Sequence, residues 1–293
     1  MATEAPLIVI VGPTASGKTG LAIRLAKKFG GEIISADSRA VYRGLDIGTA
    51  KPSAEEQQEV PHWGIDIADP DQRFTTVDFQ HYAVGMIDAI RARGNIPFLV
   101  GGTGLYVDSV LYEYQFPSSA ADLDRREMLM KLDLDALHKY CIENNIELPE
   151  NNKNKRYVVN NILRGGMARK RNDKQLPNTY VVGIATDKSE LHSRIEQRAR
   201  GIFASGVIDE AKTMANRYGW ASEAMTGNIY PLVHEYLDGL ITENELQQKF
   251  IVQDRRLAKR QNTWFRRNEH IMWLDVDSAY TYIAQVLEAY SNS

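Results

Sequence analysis

A single cysteine, Cys141, occurs in 293 residues. One thiol cannot close an internal disulfide or build a cysteine zinc cluster, so disulfide scaffolds and zinc ribbons are excluded. Cys141 is read as a small buried side chain, not a nucleophile. Long apolar runs are also missing. The N-terminal run Leu7–Val11 falls far short of the roughly 20 residues a membrane helix needs, and the start lacks the basic stretch of a secretory signal. The expectation is a soluble, cytoplasmic protein with no membrane association. There is no excess of positive charge: Lys+Arg 35 against Asp+Glu 38 leaves a net charge of −3. That excludes a uniformly basic nucleic-acid coat but leaves local patches open. The histidines show no metal-ligand spacing, and no repeat or low-complexity tract is visible. With 43% hydrophobic and 25% charged residues, wholesale disorder is excluded too.

The first third alternates strand and helix patterns. Leu7–Val11 is a buried-strand run, and Leu21, Ala22, Leu25, Ala26 and Phe29 follow at helical spacing before Gly30-Gly31. Glu32–Ala36 and Ile96–Val100 read as strands flanking a helix over Asp78–Arg93. This alternation predicts an α/β protein with a parallel sheet and helices on both faces. From about Pro117 the character changes. Ser118–Asp122 reads as a linker, Glu127–Asn144 and Lys155–Arg164 as helices, and Tyr180–Ala185 as a return to strand. Residues 118–178 are therefore expected to form a helical insertion in a core made of 1–117 and 179–293. Further helices are expected near Glu190–Ala204, Val207–Tyr218, Glu243–Arg267 and Ser278–Tyr290, with a last strand at Ile271–Val276.

Gly12, Pro13, Thr14, Ala15, Ser16, Gly17, Lys18 and Thr19 fit the P-loop spacing between an apolar strand and a helix. Backbone N–H groups of such a loop surround phosphate, and the helix N-terminus adds positive potential. Lys18 supplies a charge and Thr19 a hydroxyl for Mg²⁺. An ATPase commonly ends a neighbouring strand in an acid that holds the metal. Here Ile96–Val100 runs into Gly101-Gly102-Thr103-Gly104, and the acid, Asp37, follows a different strand. A carboxylate beside phosphate invites a general-base role; at this level a cap or a water-mediated Mg²⁺ ligand stays open.

The residues then match a family. GPTASGKT (12–19), ISADS (34–38), VYRGLDIGTAKP (41–52), PHWGIDI (61–67), VGGTGLYV (100–107), RIEQR (194–198) and LAKRQNTWFRR (257–267) span almost the whole chain. In that combination and order the sequence resembles the tRNA dimethylallyltransferases, or tRNA isopentenyltransferases. The resemblance implies transfer of the dimethylallyl group of dimethylallyl diphosphate to N6 of the adenosine 3′-adjacent to the anticodon in tRNA. The P-loop then holds the diphosphate, with Mg²⁺ as cofactor and Thr19 as its protein ligand. Asp37, Thr103 and Arg198 become the catalytic residues, and Arg194 assists at the diphosphate. From spacing alone, Arg194 and Arg198 fit a solvated helix face paired with Glu190 or Glu196 equally well. The target base has to be flipped out of its stack to reach the diphosphate. Asp37, Ser38, Arg39 and Ala40 match the segment that contacts it. Many members carry Gln at the position of Ala40.

Basic residues cluster although the total is not basic. Lys153, Lys155, Arg156, Arg164, Arg169, Lys170, Arg171 and Lys174 form one group. Arg255, Lys259 and Arg266 form another, opposite a stripe of Leu246, Phe250, Leu257 and Trp264. Such clusters are the electrostatic footprint of an RNA binder, and with the resemblance they mark Lys155, Arg156, Arg255 and Lys259 as tRNA contacts. Trp264, on the apolar stripe, is expected in the core. Two further departures from the family's pattern are Asn160 and Ile229-Tyr230-Pro231, where basic groups are usual. The expected acting unit is a monomer. An adenylate isopentenyltransferase, a small-molecule kinase and a non-catalytic RNA-binding module are the competing readings.

Overall fold

The computed structural model describes residues 4–116, 123–166 and 172–292. The chain begins with β1 (Leu7–Val11), α1 (Lys18–Phe29), β2 (Gly31–Ser35), α2 (Ala54–Glu59), β3 (His62–Trp63), α3 (Thr76–Ala92), β4 (Ile96–Gly101) and α4 (Gly104–Leu111). Three helices follow, α5 (Leu123–Lys131), α6 (Leu134–Glu143) and α7 (Lys155–Leu163). The chain then returns to β5 (Thr179–Ile184), α8 (Lys188–Ala204), α9 (Val207–Tyr218), α10 (Tyr230–Leu237), α11 (Glu243–Phe265), β6 (Met272–Leu274) and α12 (Val276–Ser291). Among the described residues the strands form one six-stranded sheet, order β3-β2-β4-β1-β5-β6, in which every pairing is parallel. This is the expected fold class.

Strand residues alternate in direction. Ile8 and Ile10 of β1, Ile33 of β2, Phe98 and Val100 of β4 and Val182 and Ile184 of β5 share one core with α1 and α12. The helices α3 and α4 also pack on the sheet but add nothing to that core, so they cover the other face. There Phe79 stacks on Tyr106, ring centroids 4.0 Å apart. The helix α3 opens with a capping box between Thr75 and Asp78. The strand β6 is shorter than expected because Asp275 turns the chain into α12, accepting N–H bonds from Asp277 and Ser278. The long pattern at Glu127–Asn144 is two helices. The carboxylate of Asp133 accepts the N–H of Ala136 and starts α6 afresh. The short elements α2, β3, α4 and α10 carry too few periodic residues to be read from pattern.

Two compact units result: Met1–Leu111 with Gln175–Ser293, and Tyr112–Lys174. The expected insertion boundaries were 118 and 178, and the linker Ser118–Asp122 lies outside the described residues. The smaller unit packs α5, α6 and α7 around Leu129, Leu137, Cys141, Val158, Val159 and Ile162. Cys141 is fully buried there, which pushes its thiol up. Among the described residues no helix is long and apolar enough to cross a membrane.

Candidate active site

In an open parallel sheet the strands' carboxyl ends face the ligand crevice. The P-loop leaves β1 at that end. Gly17 caps α1 at φ 90°, a left-handed conformation that glycine adopts without penalty. The first N–H groups of α1 have no intrahelical partner and are free to bind an anion. Beside them lies a cleft lined by Thr14, Ala15, Lys18, Thr19, Asp37, Ala40, Thr49, Lys51, His62 and Arg198, among others. Two of its neighbouring polar atoms, Ser16 Oγ within the P-loop and His62 Nε2 in the lining, are buried without a hydrogen-bond partner. Such atoms are open to a partner supplied by a ligand or by water.

The Nζ of Lys18 donates to the Pro13 carbonyl at 3.0 Å. Burial pushes its ammonium down to about 8; Asp37 opposes this and Arg198 adds to it. Asp37 uses Oδ1 to cap the turn behind it, accepting the N–H of Arg39 at 2.8 Å and of Ala40 at 3.4 Å. Its Oδ2 accepts no hydrogen bond among the described residues. So one carboxylate oxygen caps the turn while the other is left for a ligand. Thr103 is tied to the same segment: its Oγ1 accepts the N–H of Ser38 at 3.0 Å and faces Ser38 Oγ at 3.3 Å. Arg39 turns away, its guanidinium donating to the Glu223 carbonyl and to Thr226 Oγ1 at 2.9 Å. Ala40 is buried against the cleft.

Arg198 stretches from α8 to α11. Its Nη1 meets Asp254 Oδ2 at 2.7 Å and its Nη2 meets the Thr49 carbonyl at 3.3 Å. Arg194, one turn earlier, pairs with Glu190 at 2.6 Å while also donating to the Ser16 carbonyl of the P-loop. Arg194 therefore makes the helix-face pair and also touches the P-loop. Arg255 pairs with Glu196. Arg255 and Lys259 line a groove between α8 and α11 together with Lys188, Leu191, Arg256, Ala258 and Arg266. In the smaller unit Lys153, Lys155 and Arg156 are exposed or half-exposed and take no carboxylate partner among the described residues. Arg169, Lys170 and Arg171 lie outside those residues.

Several residues that build the site were given no role from the sequence, although Gly102, Gly104 and Gln261 lie within the matched motifs. The side chain of Gln261 on α11 accepts the Thr14 N–H at 2.8 Å and so holds the P-loop. Gly102 and Gly104 admit α11: a Cβ would stand 2.2 Å from the Gln261 side chain at Gly102 and 2.1 Å from Trp264 at Gly104. Trp264 is half-buried, its indole N–H donating to Asp108 at 2.8 Å. The buried line of α11 is Leu246, Phe250, Asp254, Ala258 and Phe265. The apolar stripe expected through Leu257 and Trp264 is corrected accordingly. An acid occupies the four-residue ridge, and hydrophobic spacing cannot detect an acid. Burial raises the Asp254 carboxyl above its ordinary range against the pull of Arg198 and Asn228. Glu210 of α9 accepts the N–H groups of Asp46, Ile47 and Gly48 at 2.7, 2.6 and 2.9 Å, and the Tyr230 hydroxyl at 2.9 Å. Asn160 accepts from Arg126 at 2.6 Å, and Pro231 lies in the first turn of α10.

For a metal the donor set is sparse. Among the described residues no group of three or more His, Cys, Asp or Glu could hold one. The Thr19 hydroxyl beside the P-loop fits a hard cation that takes most of its ligands from phosphate and water, as Mg²⁺ does.

The IPP transferase family model matches residues 40–268, and an isopentenyl transferase model matches residues 5–64. The tRNA dimethylallyltransferase of Bacillus subtilis is 36% identical over 288 residues, covering 94% of this chain and 92% of the relative. That of Halalkalibacterium halodurans is 38% identical over 285 residues, covering 92% and 91%. Among solved structures, the tRNA isopentenylpyrophosphate transferase of Bacillus halodurans superposes with a TM-score of 0.75 at 36% identity over 99% of both chains. A eukaryotic dimethylallyltransferase acting on tRNA has the same fold, with a TM-score of 0.77 at 22% identity over 93% of this chain and 74% of the other.

Proposed function

The chain belongs to the IPP transferase family, and on that premise we propose a prenyl transfer onto tRNA. Its cleft takes dimethylallyl diphosphate, and the acceptor is N6 of the adenosine 3′-adjacent to the anticodon. The relatives' names carry the reaction class. The observation that carries the roles of the residues is that one cleft collects Lys18, Thr19, Asp37 and Arg198. That is a phosphate cradle with one carboxylate beside it.

The chemistry follows from the groups. The N6 amine of adenine is a weak nucleophile because its lone pair is delocalised into the ring. As the N6–C1 bond forms and the C1–O bond breaks, the proton on N6 passes to Asp37 Oδ2 and the electron pair of the broken bond leaves with diphosphate. General-base help of this kind contributes roughly 10²–10⁴-fold. Charge grows on the departing diphosphate, so donors fixed around it favour the transition state over the ground state. Lys18, the P-loop N–H groups, Arg198 and, through the P-loop, Arg194 fill that role. Mg²⁺, held by Thr19, would neutralise phosphate charge. Thr103 holds Ser38 and thereby the segment bearing Asp37.

The basic groove along α11 and the residues Lys155 and Arg156 suit phosphates of the anticodon arm. The acting unit is proposed to be a monomer, and a tRNA substrate suits the cytoplasm. The test is incubation with dimethylallyl diphosphate, Mg²⁺ and unmodified tRNA, followed by mass analysis of nucleosides. A dimethylallyl-adenosine from tRNA is the expected product. Faster prenylation of free AMP would refute the tRNA acceptor, and phosphorylation of an acceptor by ATP would refute the prenyl transfer.

A further inference from the structure

Arg198 reaches the cleft from α8, and both of its terminal nitrogens are already engaged by acceptors that are themselves held. Asp254 Oδ2 takes Nη1 at 2.7 Å, and Asp254 Oδ1 is steadied by the Asn228 amide at 3.2 Å. The Thr49 carbonyl takes Nη2 at 3.3 Å. Thr49 ends a turn whose preceding N–H groups, at Asp46, Ile47 and Gly48, are gathered by the Glu210 carboxylate. The Asp254 side chain is 3% exposed and that of Arg198 24%, so the pair is anchored on the buried side with the guanidinium at the cleft edge.

A guanidinium carries five N–H donors in a planar fork. Two contacts fix that plane and leave the other donors for the cleft. An unanchored arginine would lose rotamer freedom on meeting its ligand, and that cost would be subtracted from binding. A donor fixed beforehand costs nothing when charge develops on the leaving group.

We propose that Asp254 is a positioning residue for the reaction: it orients Arg198 toward the departing diphosphate. This rests on the reading that the cleft holds diphosphate. A purely structural ion pair joining α8 to α11 is the competing account, and a double-mutant cycle separates the two. The measurement is calorimetric affinity for inorganic diphosphate with Mg²⁺ in wild type, Asp254→Asn, Arg198→Ala and the double variant, beside melting temperature and the kcat and KM of transfer to tRNA.

Positioning predicts that D254N weakens diphosphate binding about tenfold, as coupled neighbours do. On the R198A background the same change should alter affinity by less than about twofold. In transfer, kcat falls while KM for tRNA holds. Asn228→Ala, which removes only the support of Asp254 Oδ1, should give a smaller loss that also vanishes without Arg198; it replaces D254N should that variant not fold. Equal losses with and without Arg198, or a lower melting temperature with unchanged affinity, overturn the proposal. Coupling in the diphosphate cycle supports the positioning even where tRNA is not prenylated, an outcome that counts against the functional reading alone.

Discussion

Lys18 offers the sharpest quantitative test of the cradle. In water a lysine keeps its proton to well above pH 9. Burial here pushes the ammonium down to about 8, with Asp37 opposing and Arg198 adding. Below that value the side chain is charged and attracts diphosphate; above it the charge is lost. With a pKa of about 8, roughly nine-tenths of the lysines are charged at pH 7 and one-tenth at pH 9. If only the charged form grips the ligand, affinity should drop about tenfold over that interval. Diphosphate itself gains charge over the same range and works in the opposite direction. Lys18→Met supplies the correction, since its profile reports the ligand's titration alone. The quantity to plot is the ratio of wild-type to K18M affinity from calorimetry at constant ionic strength. It should be flat below pH 7 and fall by close to one decade per pH unit well above 8. A ratio that stays constant to pH 9 at a value above one would refute the depressed ammonium, and a ratio of one throughout would refute its contact with the ligand.

Asp37→Asn should cut prenyl transfer to tRNA by about 10²–10⁴-fold, the range of general-base catalysis, while diphosphate affinity measured by calorimetry changes little; near-normal turnover would remove Asp37 from the base role. Gly104→Ala puts a methyl group 2.1 Å from Trp264, and overpacking of that kind costs about 1–3 kcal/mol, so the melting temperature should drop by several degrees; an unchanged melt would mean α11 yields freely. Replacing Lys153, Lys155 and Arg156 together with Ala should weaken tRNA binding, lower the slope of log affinity against log salt by about 2–3, and leave diphosphate affinity alone; an unaltered slope would mark these residues as solvated surface.

Much of the architecture was legible because its signals are local. Periodicity placed β1, α1, β4, α9 and α7 to within a few residues, and GPTASGKT marks the loop between β1 and α1. Asp37 was found by the same logic, as an acid at the carboxyl end of a buried strand. What pattern missed was short or polar. The helix α2 has a capping box but only six residues, and the Asp133 cap broke what read as one helix into two.

The chain's order of residues determined the parallel sheet, the P-loop and the family's motifs, because strand alternation, helical spacing and a glycine turn act over a few neighbours. Only the tertiary structure decided which distant groups hold the cleft in shape. Gln261 meets Thr14 across 247 positions and Asp254 meets Arg198 across 56. Nothing in local spacing encodes such pairings. The first is possible because Gly102 and Gly104 lack the side chains that would collide with Gln261 and Trp264 of α11, and the second because the packing of α8 on α11 brings the buried acid to the arginine.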